Sequence, residues 1–366
     1  MNAPPRTAAD WLDGLLRQAV DARAADLHVE PIEPGCRIRA RIDGTLLELP
    51  PPPERFAAAI VSRIKILANL DIAETRLPQD GRFGFDVDGR KVDFRVSVLP
   101  VQNAESLTLR LLDHDAERLD LFRLGFSPEN LEALLRTLRH PHGLVVAVGP
   151  TGSGKSTTLN AILRHLNEPE RKIVSIEDPV EYEIDGVLQL HANEPGGTGF
   201  GEALRAFLRH DPDVILIGEI RDPETARIAI QAALTGHLVL CTLHAADAAS
   251  VPERFVDMGI EPYLPAATLR ATFAQRLLRL RCPRCEGAGC DSCNGTGRKG
   301  RRAIFELLVV NPEIREAIAQ NRPPETLREL SRKNGMRSLT EAANELRRQD
   351  LVDANEIRSA LGSPHR

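Results

Sequence analysis

The segment GPTGSGKS, from Gly149 to Ser156, directly follows the apolar run LVVAV and opens the helical stretch TTLNAILRHL. Strand, glycine-rich loop and helix in that order leave few architectures open, because such a loop works only where a buried strand hands over to a helix N-terminus. Gly149, Gly152 and Gly154 let the backbone curl until its N–H groups, with the positive end of the helix dipole, face phosphate oxygens. Pro150, Thr151, Ser153 and Thr157 complete the loop. Lys155 is placed to reach the β and γ phosphates of a nucleotide, and Ser156 to hold Mg²⁺ through its hydroxyl.

The surrounding chain suits that core. The apolar runs GLVVAVG, KIVSI, DVILIG and HLVLCTL are separated by helical patterns, which predicts a parallel sheet covered by helices. Ahead of them the pattern has period two: Cys36, Ile38, Ala40 and Ile42 alternate with arginines up to the turn pair Asp43-Gly44. Val92, Phe94, Val96 and Val98 repeat the pattern after Asp88-Gly89, and ERFAAAIVSRIKILANL between them is spaced as a helix. This predicts an N-terminal α+β domain over residues 1–118 and an α/β nucleotide-binding domain over 119–366, hinged in the polar stretch Asp113 to Gly125. From Glu306 to Leu361 the pattern reads as helical throughout, with a break at Pro323 and Pro324.

Two further runs supply acids. DVILIGEIRD ends in Glu219 and Asp222, and KIVSIEDPVEY delivers Glu177 and Asp178, so carboxylates stand at the carboxyl ends of buried strands, where open α/β sheets bind ligands. Phosphoryl transfer to water needs a positioned nucleophile and compensated charge, which gives two such acids work to do. Asp178 also suits a plain turn before Pro179. HLVLCTLH sets His237 and His244 at opposite ends of one short strand.

Composition narrows the partners. With 366 residues, a net charge of -5 and 4% aromatic residues, the chain has little for tracking a phosphate backbone or stacking bases, and no nucleic acid is expected as a partner. No apolar stretch nears the roughly 20 residues of a membrane span, and MNAPPRTAAD lacks the form of a secretory leader, so a cytoplasmic location is expected.

Four of the six cysteines fall in CPRCEGAGCDSCNGTG. Cys282 with Cys285 and Cys290 with Cys293 make two C-x-x-C knuckles, whose thiolates form the tetrahedral set of a structural Zn²⁺ site. Cys36 and Cys241 sit alone in apolar runs as small core residues. The flanks RLLRLRCPRC and GRKGRR form one basic patch, suited to anionic lipid, to an acidic partner or simply to solvent.

In this order the motifs resemble the motor ATPases of type II secretion and type IV pilus assembly. AADLHVEP and IRARIDG are similar to that family's N-terminal domain, GPTGSGKSTTL to its Walker A segment, and IEDPVEY to its acidic box. DPDVILIGEIRD resembles the Walker B strand and TGHLVLCTLH the histidine box. The resemblance implies a RecA-like ATPase core behind a PAS-like N-terminal domain, a homo-hexamer with ATP and Mg²⁺ between subunits, and peripheral association with an inner-membrane platform protein. It also implies Glu177 as water activator, Glu219 as Walker B acid, and His237 and His244 as links between nucleotide and ring shape. Arg82, Arg95, Arg205 and Arg209 match positions that approach the γ phosphate. A tetracysteine element resembles the secretion and pilus-extension branch; the competing expectations are a retraction motor, which would lack zinc, and a conjugation-type ATPase, which DNA would stimulate. Many relatives of that branch carry a further N-terminal docking domain, whereas this chain opens on the second one.

Overall fold

A computed structural model of the chain describes residues 7–102, 104–112, 120–192 and 199–362. Contacts divide it into two compact units, Met1–His114 and Asp115–Arg366. The boundary expected at residue 118 and the first part of the expected hinge lie outside the described residues.

In the first unit α1 (Ala8–Asp21) is followed by β1 (Asp26–Pro31), β2 (Cys36–Ile42) and β3 (Thr45–Leu49). After α2 (Ala57–Leu67) come β4 (Gln79–Val87), β5 (Arg90–Val101) and β6 (Ala104–Leu112). The strands make one antiparallel sheet in the order β3-β2-β1-β6-β5-β4, and both expected hairpins are present. Alternation sends Ile38, Ala40, Phe94 and Val96 into a core shared with α1 and α2. The intervening residues stay on the other face, where register aligns Arg41, Asp26, Arg110, Arg95 and Arg82 across neighbouring strands.

The second unit opens with α3 (Pro128–Leu138), β7 (Gly143–Val148), α4 (Lys155–Leu166), β8 (Ile173–Glu177) and β9 (Val187–His191). It continues with α5 (Phe200–Phe207), β10 (Val214–Ile220), α6 (Pro223–Leu234), β11 (Leu238–Leu243), α7 (Val251–Asp257) and α8 (Tyr263–Thr268). Then follow β12 (Leu269–Arg281) and β13 (Arg298–Val309), and the helices α9 (Pro312–Ala319), α10 (Pro324–Lys333), α11 (Leu339–Arg348) and α12 (Ala354–Leu361). The sheet runs β13-β12-β7-β11-β10-β8-β9. The four expected apolar runs are β7, β8, β10 and β11, all mutually parallel, with helices closing a core on each face.

One expectation is corrected. The stretch from Glu306 is not helical throughout: Glu306–Val309 completes β13, which pairs antiparallel with β12 from Ala271↔Val309 to Arg281↔Arg298. Its run of buried apolar residues gains more from that pairing than from a helix, and the helices begin at Pro312. The Pro323-Pro324 break does separate α9 from α10. Among the described residues no helix is long and apolar enough to cross a membrane.

Candidate functional site

The phosphate loop spans the turn from β7 into α4. Gly154 caps α4 with φ +89°, a left-handed conformation open to glycine at no steric cost. A Cβ there would also lie 2.8 Å from Gln275 Nε2, because this fully buried glutamine of β12 is wedged beneath the loop and accepts a hydrogen bond from Thr158 Oγ1 at 2.9 Å. Lys155 Nζ donates to the loop's own carbonyls, Gly149 O at 2.8 Å and Pro150 O at 3.1 Å. Burial, aided by the charge of Arg276, holds Lys155 below the ordinary lysine pKa, while Glu219 and Glu181 oppose the shift.

The loop forms one wall of a cleft of about 420 Å³. Glu177, at the end of β8, lines it and is otherwise buried. Its carboxylate accepts from Ser175 Oγ at 2.8 Å, Gln189 Nε2 at 3.2 Å and Asn160 Nδ2 at 3.3 Å, three neutral donors that orient it without a cation. Glu219 enters the same cleft from β10 by a different device. The pairing of β10 with β11 slips between Ile217 and Ile220, and the bulge re-aims Glu219 outward. There Arg221 binds it, Nη2 to Oε2 at 2.6 Å. The two acid-bearing strands run side by side because residue 218 is glycine: a Cβ there would lie 3.1 Å from Glu177 Cα.

Two buried oxygens of this region, Ser153 Oγ in the loop and Asn160 Oδ1 beside Glu177, have no partner among the described residues. Buried polar atoms are normally satisfied, so water or a ligand completes them. With the loop amides, Lys155 and the Ser156 hydroxyl at hand, the donor set fits a polyphosphate with Mg²⁺.

The remaining candidates divide. His244, at the C-terminal end of β11, lines the cleft. His237, at the other end of that strand, does not; its Nδ1 lies 2.9 Å from Ala232 O and helps close the turn after α6. Arg205 pairs with Glu224, and Arg209 donates to Arg205 O at 2.9 Å, so both are occupied within their own surface. Arg82 and Arg95 face each other across the β4–β5 pair of the first unit. Asp222 caps α6 through Thr225 N at 2.8 Å, and Asp178 lines the cleft ahead of a cis peptide to Pro179. Leu277 of β12 and Arg301 of β13 also line the cleft, and neither was singled out in the sequence. Only the strand pairing around the cysteine hairpin brings them there.

The four cysteines converge, each Sγ within 4.8 Å of the others. Sulfurs around a tetrahedral Zn²⁺, at bonds of about 2.3 Å, stand about 3.8 Å apart. The observed separations are 3.9 Å for Cys282–Cys290, 3.8 Å for Cys285–Cys293 and 3.8 Å for Cys290–Cys293. Backbone amides point at the sulfurs, from Gly289 to Cys285 and from Cys290 and Gly297 to Cys293, each at 3.2 Å, as thiolates require. Three arginines of the basic flanks form ion pairs within the molecule. Arg279 chelates the buried Glu356 at 2.7 Å, Arg281 pairs with Asp350 and Arg298 with Asp353. Those three anchor the base of the hairpin to the C-terminal segment, while Arg284, Lys299, Arg301 and Arg302 stay exposed.

The family profile described as Type II/IV secretion system protein matches residues 6–359. The chain belongs to that family. It is 49% identical over 338 residues to the type II secretion system protein HxcR of Pseudomonas aeruginosa, covering 90% of this chain and 72% of that one. It is 44% identical over 332 residues to the type II secretion system ATPase E of Vibrio cholerae, covering 84% and 66%. The solved structure of the pilus retraction motor PilT with bound ADP is 28% identical, with a TM-score of 0.69 over 97% of each chain. These likenesses bear out the resemblance read from the motifs, including the α/β fold and the place of this chain among secretion ATPases.

Proposed function

We propose that this chain is a type II secretion motor that hydrolyses ATP in a homo-hexamer at the cytoplasmic face of the inner membrane and drives pseudopilus or pilus assembly through a platform protein. The observation that carries the reading is the convergence of Lys155, Ser156, Glu177, Glu219 and His244 on one cleft. Lys155 leaves the carbonyls of Gly149 and Pro150 and turns to the β and γ phosphates. The Ser156 hydroxyl would hold Mg²⁺, which would supply charge neutralisation to the phosphates when bound. Glu177, fixed by Ser175, Gln189 and Asn160, accepts a proton from the attacking water. Glu219, held by Arg221 at 2.6 Å, would assist in holding Mg²⁺ as the Walker B acid. Arg82, Arg95, Arg205 and Arg209 would compensate charge on the γ phosphate, and His237 and His244 would pass the state of the cleft along β11.

A second observation supports the choice of branch. The sulfur spacing of Cys282, Cys285, Cys290 and Cys293 suits one Zn²⁺ per chain, which favours a secretion or extension motor over a retraction motor. Lys155→Ala tests the core claim: steady-state ATPase activity should fall by at least a hundredfold and nucleotide binding should weaken. Activity equal to that of the parent chain would reject the site.

A further inference from the structure

Away from the cleft, a second pocket of about 590 Å³ opens between Thr137, His140, Ala267, Arg270, Val309, Val310 and Arg315. It lies where β7 and β12 begin, whereas the phosphate loop lies where β7 ends, so about 20 Å of strand separates the two sites.

Arg270 is set into this pocket. Gly143, with φ +131°, makes room for it: a Cβ there would stand 2.5 Å from Arg270 Cγ and 2.7 Å from its Nε. Nε donates to His142 O and Nη1 to Ala267 O, both at 3.2 Å, which fixes the guanidinium while leaving Nη2 without a protein partner among the described residues. Arg315 approaches from α9, and no ion pair is formed by either arginine among the described residues. Burial, followed by the charge of Arg315, pulls Arg270 below the ordinary arginine pKa. Two neighbouring guanidiniums with no carboxylate between them repel, and an anion relieves the repulsion.

We propose that this pocket binds a phosphate group, with Arg270 and Arg315 as guanidinium donors, His140 as a third donor, and the exposed Val309 receiving a small apolar part of the ligand. A guanidinium fork matches phosphate oxygens two at a time, and the volume lies within the range of small-ligand sites. The site is independent of nucleotide hydrolysis, since none of its residues lines the cleft.

The test uses the full chain carrying Lys155→Ala, so that the phosphate loop is disabled, titrated calorimetrically with inorganic phosphate and pyrophosphate at low salt. One site should remain. Arg315→Gln, at an exposed position, and Arg270→Gln should each weaken binding at least tenfold with unchanged circular dichroism, and Arg270→Lys should fall between. Co-sedimentation with phosphatidylglycerol vesicles, against phosphatidylcholine controls, separates the sources. Arginine-dependent pelleting assigns a lipid headgroup, and phosphate binding without pelleting assigns a soluble phosphate. Absence of both, or binding indifferent to both arginines, overturns the proposal.

Discussion

The nucleotide cleft and the cysteine element are built by opposite means. In the cleft, groups far apart in sequence are brought together by buried strands: Thr158 meets Gln275 across 117 positions, and Thr242 Oγ1 donates to Gly218 O across 24. Glu177, Glu219 and His244 ride at strand ends whose positions the core dictates. In the cysteine element the amides that serve the sulfurs come from within four positions of their acceptors. Its inner residues Cys285 and Cys290 are only half-buried, and among the described residues no apolar cluster of its own lies beneath them. The cleft should therefore lose chemistry, not shape, when one side chain is changed, whereas the element should lose shape when its centre is removed.

The sharpest way to break the first half of that contrast is Glu177→Gln. The amide keeps the volume and can still meet Ser175, Gln189 and Asn160, so the fold and ATP binding should persist. Turnover should fall by at least a hundredfold, the scale of losing a general base. Single-turnover hydrolysis alongside nucleotide binding measures the split. If Glu219→Gln stops hydrolysis while Glu177→Gln does not, the two acids exchange roles.

The second half is tested by metal. Purified protein should carry one Zn²⁺ per chain by elemental analysis, and its absence would favour a retraction motor. Stripping it with a strong chelator should expose residues 282–297 to proteolysis, with the sheet left intact by circular dichroism and the cleft still binding ATP. The anchors Arg279–Glu356 and Arg281–Asp350 hold the base of the hairpin from outside it, so damage should stop there. Collapse of the whole second unit on chelation would show that the element is structurally continuous with the sheet.

The same contrast explains what the sequence disclosed. GPTGSGKS and the paired C-x-x-C units are legible because their chemistry is local, and the turns at Asp43-Gly44 and Asp88-Gly89 announce their hairpins by alternation. Four apolar runs foretold four parallel strands. What escaped depends on register. The bulge that turns Glu219 into the cleft arises from pairing with β11, and Leu277 and Arg301 reach the site only because β12 and β13 pair around the cysteines. Two histidines seven positions apart looked equivalent until the strand put His244 at the cleft and His237 beyond its other end. The ion pairs of Arg279, Arg281 and Arg298 in the basic flanks were hidden because Glu356, Asp350 and Asp353 lie more than fifty positions away.

The smallest expected effect concerns charge buried behind the phosphate loop. Glu306 of β13 is buried beside Asp247, whose carboxylate holds Arg328 of α10 at 2.7 Å, and Glu306 Oε1 accepts from Ala248 N at 3.2 Å. Burial first, then the neighbouring Asp247, raise the pKa of Glu306 above the ordinary glutamate value. A carboxyl whose pKa is raised on folding favours the folded state while protonated and loses that advantage as pH climbs from the unfolded value to the folded one. Glu306→Gln keeps an acceptor for Ala248 and removes the charge, so at neutral pH the midpoint of thermal unfolding should rise by a few degrees at most. Near pH 4 the two proteins should converge. A drop in stability at pH 7 would mean that Arg276 and Arg328 neutralise Glu306 more fully than burial penalises it, and that this buried cluster, like the cleft beside it, is held by long-range pairing.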